Sequence, residues 1–236
     1  MLELRLLSSH RLFDGSQRRC NHRSKSLNCD MNFSIYLPPE TTNKEKVPVV
    51  YWLSGLTCTD ENFTFKAGAQ RVAADIVDEL PTLVERYFPV SNRRSICGHS
   101  MRGHGALVIA LRNPQRYQSV SAFSPIANPT DSPWGKKAFT HYLGDDVKSW
   151  RDYDATLLVK ASASIASKRP PMLVDQGNAD EFLTEQLKTE RLVTACKAVD
   201  YPAQINMRAG YDHSYFFIST FIENHLRFHA KALRYP

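Results

Sequence analysis

Several absences narrow the possibilities for this 236-residue chain first. No stretch approaches the ~18 consecutive apolar residues that a membrane span needs, so no membrane partner is expected. The opening stretch MLELRLLSSHRLF holds only short apolar runs broken by charge, so a secretory signal is not expected either. The five cysteines, Cys20, Cys29, Cys58, Cys97 and Cys196, are odd in number and include no CxxC pair. That argues against a disulfide framework and a cysteine zinc site, and points to reduced thiols in a cytoplasmic protein. No metal or cofactor is expected. His225 and His229 stand four apart on a helix-forming stretch, but no third ligand lies near them, so they read as an ordinary helix face. There is no block of like charge. Thirty basic residues are scattered among 24 acidic ones for a net charge of +6. This is a poor nucleic-acid footprint; it can at most steer an anionic small molecule. Repeats and low-complexity tracts are missing too, and 42% hydrophobic content suits one globular domain over residues 1–236.

What is present is an alternation of strand and helix signals. MNFSIYLPP alternates apolar and polar positions with strand period, and the preceding QRRCNHRSKSLNCD can pair with it as an antiparallel hairpin over about residues 17–38. VPVVYWLSG is a continuous apolar run ending in small residues, as a buried parallel strand reads. KAGAQRVAAD and VDELPTLVERYF are helical, with Pro81 near the first turn of the second. RRSICG, SVSAFSP, PMLVDQG and AQINMR read as strands. RGHGALVIALRNP, FLTEQLKTERLVTACKAV and residues 214–233 read as helices. The pattern predicts an α/β fold, a mostly parallel sheet with helices on both faces. One irregularity stands out: between KAGAQRVAAD and VDELPTLVERYF, at 76–77, the chain runs from helix to helix where a strand belongs.

Residues 98–102, GHSMR, carry the chemistry. Ser100 lies between a strand end and a helix start, where a sharp turn exposes a hydroxyl and aims the following amides at an oxyanion. The pattern departs from GxSxG at its fifth position, where Arg102 replaces glycine. Serine needs a base, and His213 in GYDHSY is the best candidate. A carboxylate must orient that histidine. Asp180 is well placed after the strand PMLV, with Asp175 and Asp212 as lesser candidates. The order Ser, Asp, His is that of α/β-hydrolases. His99 and His104, which flank the turn, read as packing or surface residues. Met101 is the expected first oxyanion donor, and Leu56, in the loop after VPVVY, the second. Cys58 is expected near the same rim, either as a small buried residue or as a thiol whose modification blocks the pocket.

The stretches VPVVYWLSGLTCTDENF, KAGAQRVAA, CGHSM, SVSAFSPIANP, PWGKKAF, YLGDD, DQGNADEFL and GYDHSYFFISTFIENHLRFHAKAL, spread over nearly the whole chain, resemble S-formylglutathione hydrolase, the esterase D family. The resemblance implies an α/β-hydrolase fold without a cofactor, acting on the small molecule S-formylglutathione in a cytoplasmic homodimer. It implies cleavage of the thioester to glutathione and formate, with carboxylesterase side activity. By motif it places the triad on Ser100, Asp180 and His213, the oxyanion amides on Leu56 and Met101, and the substrate pocket at Cys58 and Trp134. It also implies that one central strand region is deleted, with its junction near 76–77. A side chain as long as that of Arg102 must escape to solvent or push the turn open. An acyl transferase of related fold is a third reading. The alternative to an active hydrolase is a family member that no longer catalyses and serves as a scaffold or interaction protein.

Overall fold

A computed structural model describes residues 3–39, 41, 46–53, 78–163 and 169–234. The helix expected from KAGAQRVAAD and the junction expected near 76–77 lie outside them. The chain divides into two compact units, Met1–Val49 with Thr57–Asn92, and Val50–Leu56 with Arg93–Pro236.

In the first unit, β1 (Leu4–Leu12), β2 (Gly15–Ser24) and β3 (Cys29–Leu37) form an antiparallel sheet in that order. β1 had no counterpart in the sequence reading. Its alternation is poor because both of its faces are largely exposed. The β1–β2 turn places Phe13 and Asp14 at positive φ, as a two-residue loop matched to strand twist requires. Cys20, Leu37, Val84, Phe88 and Val90 form the buried cluster of this unit, with Phe33 and Ile35 packed against it. Helix α1 (Leu80–Tyr87) opens with Pro81 in its first turn, where a missing N–H costs nothing. Just before it, the Glu79 carboxylate accepts from the backbone N–H of Lys25 at 3.0 Å and of Ser26 at 2.6 Å, and from the Ser24 and Ser26 hydroxyls. Burial pushes the Glu79 carboxyl up, but these donors outweigh it and hold it below its ordinary value.

The five-stranded sheet runs β4 (Val47–Leu53), β5 (Val90–His99), β6 (Val120–Phe123), β7 (Met172–Gly177) and β8 (Ala203–Arg208), in that spatial order. β5 to β8 pair in parallel. Every residue of β6 and β7 is buried, as in the interior of a parallel sheet covered on both faces. The helices of the second unit are α2 (Met101–Arg112), α3 (Pro133–Leu143), α4 (Val147–Trp150), α5 (Ala155–Ala161), α6 (Thr189–Ala198) and α7 (Tyr215–Arg234). The result is the α/β architecture that the alternation predicts.

α7 packs on β6 and β7, with Phe217 and Ile218 against Cys97 and Phe123. The Phe123 and Phe217 rings meet edge to face at 5.6 Å, and each buried ring contributes ~2–3 kcal/mol. Through this apolar layer runs a polar seam. Ser95 bonds Ser119 at 2.7 Å, Ser119 bonds His229 Nδ1 at 2.8 Å, His229 Nε2 bonds Ser121 at 2.7 Å, and Ser121 bonds His225 Nδ1 at 2.8 Å. His225 and His229 are therefore core residues, bonded to Ser121 of β6 and to Ser119 just before it. The stretch FLTEQLKTERLVTACKAV, expected as one helix, is broken. A π-turn spans Leu183–Leu187, and Lys188 adopts left-handed φ 55° before α6 begins. Tertiary bonds decide the break, since Thr189 is held by Gln176 from β7 at 2.9 Å.

Candidate active site

The site lies where strand ends of the second unit meet its loops. β5 ends at His99 and α2 begins at Met101, so the whole reversal falls on Ser100, which sits at φ 58°, ψ −125°. Such a conformation costs ~1–3 kcal/mol and persists only where neighbours enforce it. Here the Ser100 N–H donates to the Phe123 carbonyl at 2.9 Å, and the His104 N–H to the Ser100 carbonyl at 2.9 Å. Gly98 is what lets strand and helix approach: a Cβ there would stand 2.3 Å from the Arg102 carbonyl oxygen. The turn keeps its form with Arg102 as the second residue of α2, half-buried and in interaction with the rest of the structure. The position that meets backbone at forbidden distance is Gly98, and with Arg102 in place Ser100 still lies 2.9 Å from His213, so the side chain at 102 does not open the turn.

His213 comes from the loop between β8 and α7. Gly177, ending β7, admits that loop, since a Cβ there would stand 2.1 Å from the Tyr211 carbonyl. His213 Nε2 lies 2.9 Å from Ser100 Oγ, and Nδ1 lies 2.6 Å from Asp180 Oδ2. With Asp180 ionised, Nδ1–H donates to the carboxylate, leaving Nε2 to accept the serine proton. Burial pushes the Asp180 carboxyl up, but the His213 bond and charge, then the Phe182 N–H and Ser124, hold it below its ordinary value. The three residues expected to form a triad are thus one hydrogen-bonded chain.

The other carboxylates are occupied elsewhere. Asp175 is clamped by Asn206 at 2.6 Å and by Arg208 at 3.0 and 3.1 Å. Asp212 accepts from the Ser214 N–H at 3.0 Å, just before α7. Of the flanking histidines, His104 donates from Nε2 to the Tyr153 carbonyl at 2.7 Å, a structural bond. His99 is only 5% exposed, and its ring lies 4.7 Å from that of His213, tilted by 40°. Burial first, then the charge of His213, push the His99 ring down to about 4, so it is a neutral wall beside the reacting imidazole.

Met101 opens α2, where first-turn amides have no intrahelical acceptor and the helix dipole favours negative charge. Leu56 and Cys58 lie outside the described residues. Trp134 is 42% exposed near the start of α3, its ring 4.8 Å from that of Phe182. Phe182 in turn meets His213 edge-on at 5.2 Å. The sequence reading missed Phe182 and Gln176. Each lies within four positions of Asp180 in DQGNADEFL, which was a usable signal. Among the described residues no cluster of three metal-ligating side chains occurs.

The arrangement is a histidine-activated serine with a carboxylate behind it, a preformed site for acyl transfer. The Esterase family model matches residues 24–78 and 74–228, two stretches that meet at 74–78. An S-formylglutathione hydrolase from Agrobacterium tumefaciens is 35% identical, with TM-score 0.85, covering 97% of this chain and 99% of that one. FphF, a fluorophosphonate-binding serine hydrolase of Staphylococcus aureus, shares the fold at 18% identity and TM-score 0.71, over 91% of this chain and 98% of its own. A Staphylococcus aureus S-formylglutathione hydrolase shares it at 16% identity and TM-score 0.69, over 96% and 98%. The chain belongs to the esterase family, serine hydrolases of the α/β-hydrolase fold.

Proposed function

We propose that this chain hydrolyses S-formylglutathione to glutathione and formate, with a side activity on simple carboxyl esters. The observation that carries this reading is the chain Ser100–His213–Asp180, with bonds of 2.9 and 2.6 Å. The relative at 35% identity, an S-formylglutathione hydrolase, supports the substrate. Ser100 Oγ attacks the formyl carbonyl while His213 Nε2 takes its proton, and Asp180 stabilises the imidazolium. The oxyanion is received by the Met101 amide at the start of α2 and by the Leu56 amide. The C–S bond then breaks, and His213 returns the proton to the departing glutathione sulfur. Water, deprotonated by His213, attacks the formyl-serine ester and releases formate and free Ser100. Trp134, whose ring lies 4.8 Å from that of Phe182, belongs to the substrate pocket on this reading, and Cys58 is assigned to it by the family resemblance alone. No metal or cofactor takes part. A strand region deleted near 76–77, a cytoplasmic location and a homodimer belong to the same reading, and the family match in two stretches meeting at 74–78 supports the first.

The test is thiol and formate release from S-formylglutathione by the purified chain, beside an aryl acetate. Wild type turns over both, and Ser100→Ala neither. Well-folded wild type without activity on either substrate would establish the scaffold reading instead.

A further inference from the structure

Behind Asp180 lies a second set of directed bonds that the triad itself does not require. Gln176, on β7, is fully buried. Its Nε2 donates to Asp180 Oδ2 at 3.1 Å, the same oxygen that receives His213 Nδ1, and also faces the Gly177 carbonyl at 3.1 Å and Ser124 Oγ at 3.3 Å. An amide can present either end to a carboxylate, and only the NH₂ end is attractive. Thr189 selects that end: its hydroxyl donates to Gln176 Oε1 at 2.9 Å. Thr189 is itself buried, at the first residue of α6, where the left-handed Lys188 breaks the preceding π-turn. The helix break that the sequence pattern does not predict therefore puts a hydroxyl in register with β7.

We propose that Thr189 and Gln176 are positioning residues for the hydrolysis. On this account, the Thr189 hydroxyl locks the Gln176 amide so that it fixes Asp180 Oδ2 on the line to His213 and tempers the carboxylate's charge. The chain reads Thr189, Gln176, Asp180, His213, Ser100, and no residue in it is fully exposed. The proposal rests on the serine-hydrolase reading of the site.

Two consequences separate it from a packing role. A carboxylate that loses a donor is more basic and holds the imidazolium more tightly, so the acid limb of kcat/KM moves to higher pH. A carboxylate that wanders lowers kcat without touching substrate affinity. The groups facing His213 are Asp180 on Nδ1, Ser100 on Nε2, the tilted His99 ring, the Phe182 ring, Tyr215 beyond His99 and, adjacent in the chain, Asp212. None is altered by the Gln176 and Thr189 substitutions below; Ser100→Ala, which does remove one, serves only as the control for the serine reading.

Gln176→Leu, Thr189→Val, Thr189→Ser and Ser100→Ala are compared with wild type for melting temperature, kcat, KM and the pH profile of ester hydrolysis. Gln176→Leu lowers kcat about tenfold with KM unchanged, and moves the acid limb up by about half a pH unit or more. Thr189→Val lowers kcat several-fold, and Thr189→Ser, which keeps the donor, restores it. If Gln176→Leu does not fold, the Thr189 pair carries the test alone. Folded Gln176→Leu or Thr189→Val with wild-type kcat and an unmoved acid limb overturns the proposal, as does a rise in KM at constant kcat. Residual turnover in Ser100→Ala would instead sink the serine reading itself.

Discussion

The polar seam under α7 makes an unusual demand on pH. His229 is fully buried and bridges Ser119 and Ser121 at 2.8 and 2.7 Å. Burial first, then the charge of His225, push its ring down to about 3. In the unfolded chain the same ring titrates near ~6.5. The folded value is depressed, so below pH ~6.5 the unfolded state binds the proton that the folded state refuses. The stability tied to neutral His229 is full above that pH and is lost as the pH falls toward 3. Between pH 7.5 and pH 5 the loss is ~2 kcal/mol. Replacing His229 with leucine removes both hydrogen bonds and the titration together. Ser119 keeps Ser95 and Ser121 keeps His225, so neither hydroxyl is orphaned. Two bonds at ~0.5–1.5 kcal/mol each give a cost of ~1–3 kcal/mol at pH 7.5. For a chain of this size that lowers the melting temperature by ~3–10 °C. At pH 5 the wild type has lost a similar amount through His229 and the variant has not, so the gap closes. Contributions from His99 and His225, whose rings are also pushed down by burial, are shared by both proteins and cancel to first order. Denaturant melts of the two proteins across pH 5–8 measure the difference directly. A gap that stays constant, or that widens on acidification, refutes the reasoning.

The remaining predictions concern the turn around Ser100. Gly98→Ala places a methyl 2.3 Å from the Arg102 carbonyl, so the turn must open; hydrolysis falls at least a hundredfold and the melting temperature drops. Wild-type activity in that variant would mean that the close approach is not needed. Arg102→Gly leaves Ser100 geometry as it is, changes kcat less than about threefold, and costs up to ~1 kcal/mol because glycine is a poor helix residue. A large gain in activity would show that the arginine does distort the site.

What could be read from the residues divides along range of interaction. GHSM between an apolar strand and a helix is a local pattern, and the positive φ of Ser100 follows from where β5 stops and α2 starts. β6 and β7 were readable from short, largely apolar stretches, Val120–Phe123 around Ser121 and the Met172–Val174 start of β7, which burial on both sides favours. The choice among Asp175, Asp180 and Asp212 was not local. It turns on which carboxylate is left over once Arg208, Asn206 and the Ser214 amide have taken theirs. β1 escaped notice because its exposed faces carry no alternation. The break at Lys188 did too, because helix propensity is weak beside the Thr189–Gln176 bond.

By itself, the order of residues determined the alternation of strands and helices, the nucleophile turn, and which serine, histidine and acids were available for acyl chemistry. Those follow from backbone propensity and hydrophobic period, which act within a few positions. The tertiary structure alone decided that His225 and His229 belong to the core, that Asp180 faces His213, and that Gln176 stands behind it. The His213–Asp180 and histidine–serine pairings join groups tens of residues apart or more, which only packing brings within hydrogen-bond range, and Gln176, though four positions from Asp180, faces it because Thr189 turns its amide.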